Sequence, residues 1–520
     1  MEPGERQDEL RALVDPGSSL SWRVRCSHRR AWPHPHTRAQ LRSDHPIGYS
    51  AKTANRGARV DREHLAGWAA AALASVLVVA ATAALAAPTD EEIARLGGPE
   101  LTPVGAERAG NAEGTIPEWK GGVTEPPPGW KPGMKRVDLF GDDPILFRID
   151  ASNVDQHADK LTPGQIALVK SYDGYVMDVY PTRRSCAYPE DYYENAKQNA
   201  RVARVDDDCF LRAGIQSPLF PLPENGCQVI QNAKLSIFNA VIGFDRIEVT
   251  LVPTNSGSFV PIRRRQIQYS RSVDPDFGTF DDLEGIWAKA LNIVLSPPKQ
   301  AGEITLVHVL TNGHLEAWTY NPGQRRVRRN PNFEYDNPVP GWQGLVTIDA
   351  VNGYVGAADR YEWKLLGKRE IYIPYNNLKF FGSDLKYQDL IQARYPRRDL
   401  IHYELHRVWV VEATVRPNKR HTIARRVFYI DEDSWLIVVV DGYDNKGNLW
   451  RVSEHLPQLL YEIPSCVSNS GHYYDLVAGR YLITPAFNEE QEADYLAGHN
   501  GVVGDDYGFT PDNLRRMGKR

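Results

Sequence analysis

Between residues 405 and 455, runs rich in Val, Ile, Trp and Tyr alternate with short polar clusters. The clusters are Pro417-Asn418-Lys419, Asp431-Glu432-Asp433-Ser434 and Asp444-Asn445-Lys446-Gly447. Asn, Asp and Gly tolerate left-handed backbone or hydrogen-bond their own chain, so each cluster can reverse a strand. The spacing predicts an antiparallel meander. Further strand-like runs fall at 145–149, 174–180, 246–252, 259–271, 304–310, 315–320, 354–355, 360–366 and 370–373, several joined by turns such as Asn312-Gly313 and Asn321-Pro322-Gly323. Helical patterns occupy 90–96, 163–171, 189–204 and 225–238; the third has Pro at its first turn and acids ahead of bases. A further helix is predicted over 280–295, where Leu283, Ile286, Trp287, Ala290, Leu291 and Val294 form an apolar stripe.

Many antiparallel strands with few helices predict a mainly β fold with α elements (α+β), built on a large curved antiparallel sheet. Twist forces curvature and open edges are hazardous, so such a sheet closes on itself or curls around a helix. Helices covering only part of the concave face would leave an apolar trough. Aromatic residues are dense in the strand region, and alternation puts Trp318 with Tyr320, and Tyr361 with Trp363, on shared faces. Ordinary core packing accounts for any one of them. A trough lined by Trp318, Tyr320, Tyr361, Trp363 and Trp409 would suit an acyl chain, because each buried methylene contributes about 0.8 kcal/mol.

The polar pattern divides the chain further. Residues 65–85 are uncharged and mostly apolar, follow a basic stretch, and end at Ala84-Leu85-Ala86, the form of a secretory signal peptide (65–86) removed after Ala86. A membrane anchor is the competing reading. Residues 1–64, rich in Arg, His and Pro over 1–55, are expected to be a disordered or non-native extension, with Val60 a candidate start. Gly and Pro crowd 97–133, so 87–134 is expected to be an extended arm lying over a main domain at 135–463. An irregular tail with one short acidic helix at 489–497 is expected over 464–520. Removing the 12 basic and 8 acidic residues of 1–86 from the chain's 61 and 66 leaves 49 and 58, a net charge of −9. That balance argues against a nucleic-acid partner.

Four cysteines remain after the leader: Cys186, Cys209, Cys227 and Cys466. In an exported chain they predict two disulfides with three possible connectivities. Cys186–Cys209, around a helix, with Cys227–Cys466, tying the tail to the middle, is the preferred pairing. Zinc is disfavoured, since no C-x-x-C or suitably spaced His is present.

Candidate chemistry is sparse. His402-Tyr403-Glu404-Leu405-His406 suggests a metalloprotease, but that motif needs Glu directly after the first His, on a helix, and this segment reads as a strand. Arg263-Arg264-Arg265 and Arg325-Arg326-Val327-Arg328-Arg329 read as solvated strand edges, with anionic headgroups or an acidic partner as the alternative. There is no nucleophile elbow, phosphate loop or dinucleotide fingerprint. Asp142-Asp143 and Asp505-Asp506 sit in loops and give a glycosidase no positive support.

Residues 95–122 (RLGGPELTPVGAERAGNAEGTIPEWKGG) and 409–452 (WVVEATVRP…YIDEDSWLIVVVDGYDNKGNLWRV) resemble the two ends of the family known as domain of unknown function 1329. Its members are similar to the periplasmic lipoprotein carrier LolA and the receptor LolB. The resemblance implies an incomplete β-barrel wrapped around helices, with an apolar cavity for acyl chains; no cofactor is expected. It also implies a periplasmic location and traffic of a lipid or other hydrophobic molecule, alongside a resistance-nodulation-division type exporter and an outer-membrane β-barrel partner. A secreted hydrolase or lyase on a β scaffold and an envelope adaptor that holds no ligand are the alternatives.

Overall fold

The computed structural model describes residues 87–518 of the 520-residue chain. The expected extension 1–64 and signal peptide 65–86 lie outside the described residues. In chain order the strands are β1 (Phe147–Ile149), β2 (Met177–Val179), β3 (Arg204–Val205), β4 (Leu211–Ala213), β5 (Gly243–Leu251), β6 (Ile262–Ser270), β7 (Ile286–Ser296), β8 (Ile304–Leu310) and β9 (Leu315–Asn321). They continue with β10 (Arg326–Asn330), β11 (Tyr361–Pro374), β12 (His402–Val415), β13 (Arg425–Asp431), β14 (Ile437–Tyr443), β15 (Leu449–Leu460), β16 (Ser465–Asp475) and β17 (Arg480–Ala486). The α-helices are α1 (Asp90–Ala94), α2 (Pro163–Ser171), α3 (Glu190–Val202), α4 (Gly226–Leu235) and α5 (Pro511–Met517).

Fifteen strands make one unclosed sheet, ordered β1-β2-β12-β13-β14-β15-β16-β17-β5-β6-β7-β8-β9-β10, with β11 paired to β12. Its pairings are antiparallel except the short parallel contact of β2 with β12. The meander forms as its turns dictate. Asp431 accepts from the backbone N–H (2.9 Å) and hydroxyl (2.6 Å) of Ser434, and Trp435 takes left-handed backbone at φ 61°. At the next turn Asp444 accepts from the N–H groups of Lys446 and Asn448, and Gly447 supplies a φ of 82°.

The middle of the sheet is covered on both faces, and every position of β14 and β16 is buried. On one face Val411, Ala413, Phe428 and Ile430 pack under Val229, Ile230 and Ala233 of α4 and Tyr192 of α3. On the other, Val408, Val410, Tyr429 and Val439 meet Trp130 of the N-terminal segment and Tyr375. Two helices start where side chains cap them. Thr162 and Gln165 form a capping box ahead of α2, and Asn225 accepts from the Gln228 N–H at α4.

Residues 87–134 lie against this body. Trp119 donates to the Cys186 carbonyl (3.2 Å), Trp130 meets Tyr461 edge-on, and the fully buried Trp435 donates to the Val104 carbonyl (3.0 Å). Arg184 donates to the carbonyls of Glu107 (2.8 Å) and Arg108 (3.1 Å) while gripping Asp433 with two bonds (2.8 and 2.6 Å).

Several expectations are corrected. The segment expected as a helix over 280–295 is strand β7, preceded by left-handed Glu284 and Gly285. A strand with apolar residues on both faces gives a run that also satisfies helical spacing. The pair 354–355 is not a strand, whereas 360–366 and 370–373 join into one strand, β11, with a bulge between Leu365 and Gly367. The region after 464 is not irregular: β16 and β17 lie inside the sheet, while 489–497 forms no helix and instead bridges Asp494 to Asp245. The disulfides are Cys186–Cys466 and Cys209–Cys227, with Cα separations of 5.6 and 5.7 Å, rather than the preferred pairing. The 13 residues of α3, about 20 Å long, carry the chain from Cys186 to the start of α4, where Cys209 meets Cys227.

Candidate functional site

Helix α4 lies across β11 and β12, and its C-terminal end faces the wing of the sheet made by β6, β7 and β8. Between them is a cavity of about 150 Å³ with a mostly apolar lining. The helix side contributes Leu235, Ile237 and Phe238; the sheet side contributes Trp287, Ala288, Ala290, Val309 and Leu310. Ala288 and Ala290 are two apart and share a face, and Ala288 is in register with Val309. The small side chains on β7 keep this space open. Two lysines border it. Lys289 donates to Asp505 (2.5 Å), but Lys234 forms no ion pair among the described residues, where its hydrogen bond is to Gln231 Oε1 at 3.4 Å. Part of Lys234 opens onto the cavity while protein surrounds the rest. Burial pushes its ammonium down to about 8, with Asp359 only partly opposing the shift.

A larger cleft of about 550 Å³ lies among Lys135, Arg136 and Asp138, the segment 378–400, and tail residues including Phe487 and Tyr495. It shares Asp138, Gly141, Lys379 and Leu400 with an adjoining cavity of about 300 Å³ that reaches His402. Its cations are engaged: Arg136 with Glu462 and Glu492, Arg397 with Asp399 (2.9 Å), and Lys379 with the Asp399 carbonyl (2.9 Å). An alkyl chain laid over these pairs would strip their water without replacing it. The larger space is therefore the poorer bed for an apolar ligand.

Behind that cleft, strand alternation sets His402, Glu404 and His406 on one face of β12. His402 stacks on Tyr180 and lies 3.4 Å from Glu404; the other Glu404 oxygen is 3.0 Å from His406 Nε2. Burial pushes His402 down. Burial also opposes charge on His406, but Glu404 and Asp431 outweigh it and raise that group. Asp431 is pushed up to about 6, by burial first and then by Asp433. His406, Asp431 and Asp433 have ligand atoms within 4.8 Å of one another, yet the Arg184 guanidinium grips Asp433 and supplies the cation there. The segment is a strand carrying a buried polar row, not a helical zinc motif.

Over residues 148–515 the chain matches the family described as "Protein of unknown function (DUF1329)". It belongs to the DUF1329 family. An uncharacterized protein of Pseudomonas aeruginosa is 39% identical over 451 residues, covering 85% of this chain and 97% of the relative. Among solved structures, this DUF1329 chain is similar to a DUF1329 family protein from Desulfovibrio piger, with a TM-score of 0.32 and 13% identity over 50% of this chain and 91% of that one. It is also similar to a LolA superfamily protein from Nitrosomonas europaea, with a TM-score of 0.31 and 10% identity over 50% and 90%.

In this DUF1329 chain the aromatic residues expected to line a trough fall into two groups. Ala317 is in register with Val307 and, through it, with cavity-lining Ala290, so Trp318 and Tyr320 point to the opposite face. There they pack near α5, with the Tyr320 hydroxyl donating to the Gly518 carbonyl (2.9 Å) and the Trp318 ring 5.0 Å from His308. Tyr361, Trp363 and Trp409 lie on the α4 side of the sheet. Tyr361 donates to the Ile423 carbonyl (2.9 Å), Trp363 to that of Ala358 (2.8 Å), and Trp409 stacks on Trp435. All five lie outside the lining of the apolar cavity. Sequence reasoning missed Lys234 and the Ala288/Ala290 floor. An isolated Lys at the end of an amphipathic helix looks like an ordinary solvated cation, and the alanines were concealed by the helical reading of their strand. The basic runs have structural partners: Arg263, Arg264 and Arg265 pair with Glu490, Glu248 and Asp245, and Arg326–Asn330 is the end strand of the sheet.

Proposed function

We propose that this DUF1329 protein is an exported, non-catalytic binding or shuttle protein for a lipid or other hydrophobic molecule. It would take ligand in the cavity beside α4 and work between a resistance-nodulation-division type exporter and an outer-membrane β-barrel protein in the periplasm. The apolar cavity on the part of the sheet that α4 leaves open carries the reading. Its volume is about that of a dry cavity known to take up benzene, so it suits one apolar segment of a ligand and not a whole lipid. Modest burial also suits a carrier, which must release what it binds. Two disulfides fit an oxidising compartment. In this reading Tyr361, Trp363 and Trp409 stiffen the sheet under α4.

The test is mass spectrometry of an organic extract from full-length protein recovered from the periplasm, together with its native mass. An apolar molecule at near one per chain is expected. Protein that emerges empty and takes up neither added decanol nor decanoate overturns the proposal.

A further inference from the structure

The apolar cavity contains one charge, that of Lys234, with no ion-pair partner among the described residues. Lys289, the other lysine of the lining, is paired with Asp505, which also forms an ion pair with Arg271 (3.0 Å). Among the described residues Lys234 Nζ makes one hydrogen bond, to the Gln231 side-chain oxygen at 3.4 Å, beyond a good hydrogen bond. A buried ammonium without a counter-ion is costly unless something occupies its remaining donor positions. Around it the chain is pared to glycine. A Cβ on Gly313, which already holds left-handed backbone at φ 84°, would stand 2.9 Å from Lys234 Nζ and 2.9 Å from the Gly356 carbonyl oxygen. Any side chain at 313 would thus press on the ammonium.

We propose that Lys234 anchors the anionic head of an amphiphile whose apolar end fills the cavity between α4 and β6–β8. This rests on the carrier reading and adds the ligand class: a molecule with one negatively charged oxygen head, best met by a carboxylate. One ammonium balances one negative charge; a dianionic phosphate head would leave a second charge uncompensated in a mostly apolar site. Ala288 and Ala290 give the cavity an uncharged floor, and the Lys289–Asp505 pair lies on the other face of β7.

The test compares decanoate, decyl phosphate and decanol binding by calorimetry to the full-length protein and to its Lys234→Met and Lys234→Arg variants. Wild type is expected to prefer decanoate over decanol by about 10- to 100-fold, the scale of a charge-assisted hydrogen bond. Lys234→Met is expected to lose that preference while still binding decanol, and Lys234→Arg to retain it. Equal binding of decanoate and decanol by wild type overturns the anchor but leaves the carrier reading standing, as does a preference that survives in Lys234→Met. Tighter binding of decyl phosphate than of decanoate overturns the carboxylate assignment. Failure of wild type to bind any of the three overturns the carrier reading as well. If Lys234→Met also loses decanol, Lys234→Gln takes its place in the same comparison.

Discussion

Filling the cavity from its floor separates a ligand site from a packing defect. Ala290 is only half-buried, faces the cavity from β7, and is in register with Gln268 and Val307. A Trp at this position grows into empty space instead of into packed atoms. The cavity of about 150 Å³ equals roughly five water volumes at ~30 Å³ each, room for about five methylenes. At ~0.8 kcal/mol per methylene, excluding the ligand's apolar end removes ~4 kcal/mol. That is about a thousandfold in affinity at 1.4 kcal/mol per tenfold. The assay is decanol binding by calorimetry, with a thermal unfolding midpoint measured on the same preparation. Ala290→Trp is expected to keep or raise the midpoint and to lose binding. Lys379→Met, an exposed position on the charged cleft, is expected to leave binding unchanged. A folded Ala290→Trp protein that binds decanol like wild type would refute the location of the site.

Two predictions concern stability. Cys186–Cys466 closes a separation of 280 residues and Cys209–Cys227 one of 18; chain-entropy estimates assign them roughly 5–6 and 3 kcal/mol. Replacing the first pair by Ser should therefore cost roughly 2 kcal/mol more in urea unfolding than replacing the second, and the reverse order would show that native contacts, not loop closure, dominate. Burial pushes Asp441 up to about 7 despite hydrogen bonds from the Gly164 N–H (3.2 Å) and Thr162 hydroxyl (3.3 Å). Its folded value lies above the ordinary carboxyl value near 4, so the native state holds the extra proton and stability falls as pH rises through 7, by roughly 4 kcal/mol in all. Asp441→Asn should gain on wild type between pH 5 and pH 8, and parallel urea midpoints at the two pH values would contradict this.

Legibility in the sequence followed where the hydrophobic signal lives. Helices α2, α3 and α4 carried caps, turn residues or a one-sided apolar stripe, and their segments were readable. The meander's turns were equally explicit, because Asp431, Asp444 and Gly447 perform local chemistry that no distant residue alters. β16 was opaque for the opposite reason. Its sequence Ser465-Cys466-Val467-Ser468-Asn469-Ser470-Gly471-His472 is mostly polar, yet it is buried throughout, so its strand character comes from neighbours β15 and β17 and not from periodicity. β7 failed because apolar residues stand on both of its faces, which removes the alternation that marks a half-buried strand. For the site, alternation showed which aromatic residues share a face but not which face turns toward α4. That choice is made by register across several bulged strands, a property of the assembled sheet.

The seam between β5 and β17 has a consequence for how this molecule is made. Leu251 and Ile483 are neighbours there although 232 positions apart, and among the described residues the wing from β5 to β10 joins the rest of the sheet only through this seam. A ribosome that has released everything up to Asp475 has therefore produced two sheet fragments, each with a raw edge, and not the strand that pairs them. Raw edges recruit one another between molecules. Completion waits for the last strand, so the nascent chain must be kept apart from its siblings until its C-terminal region is delivered.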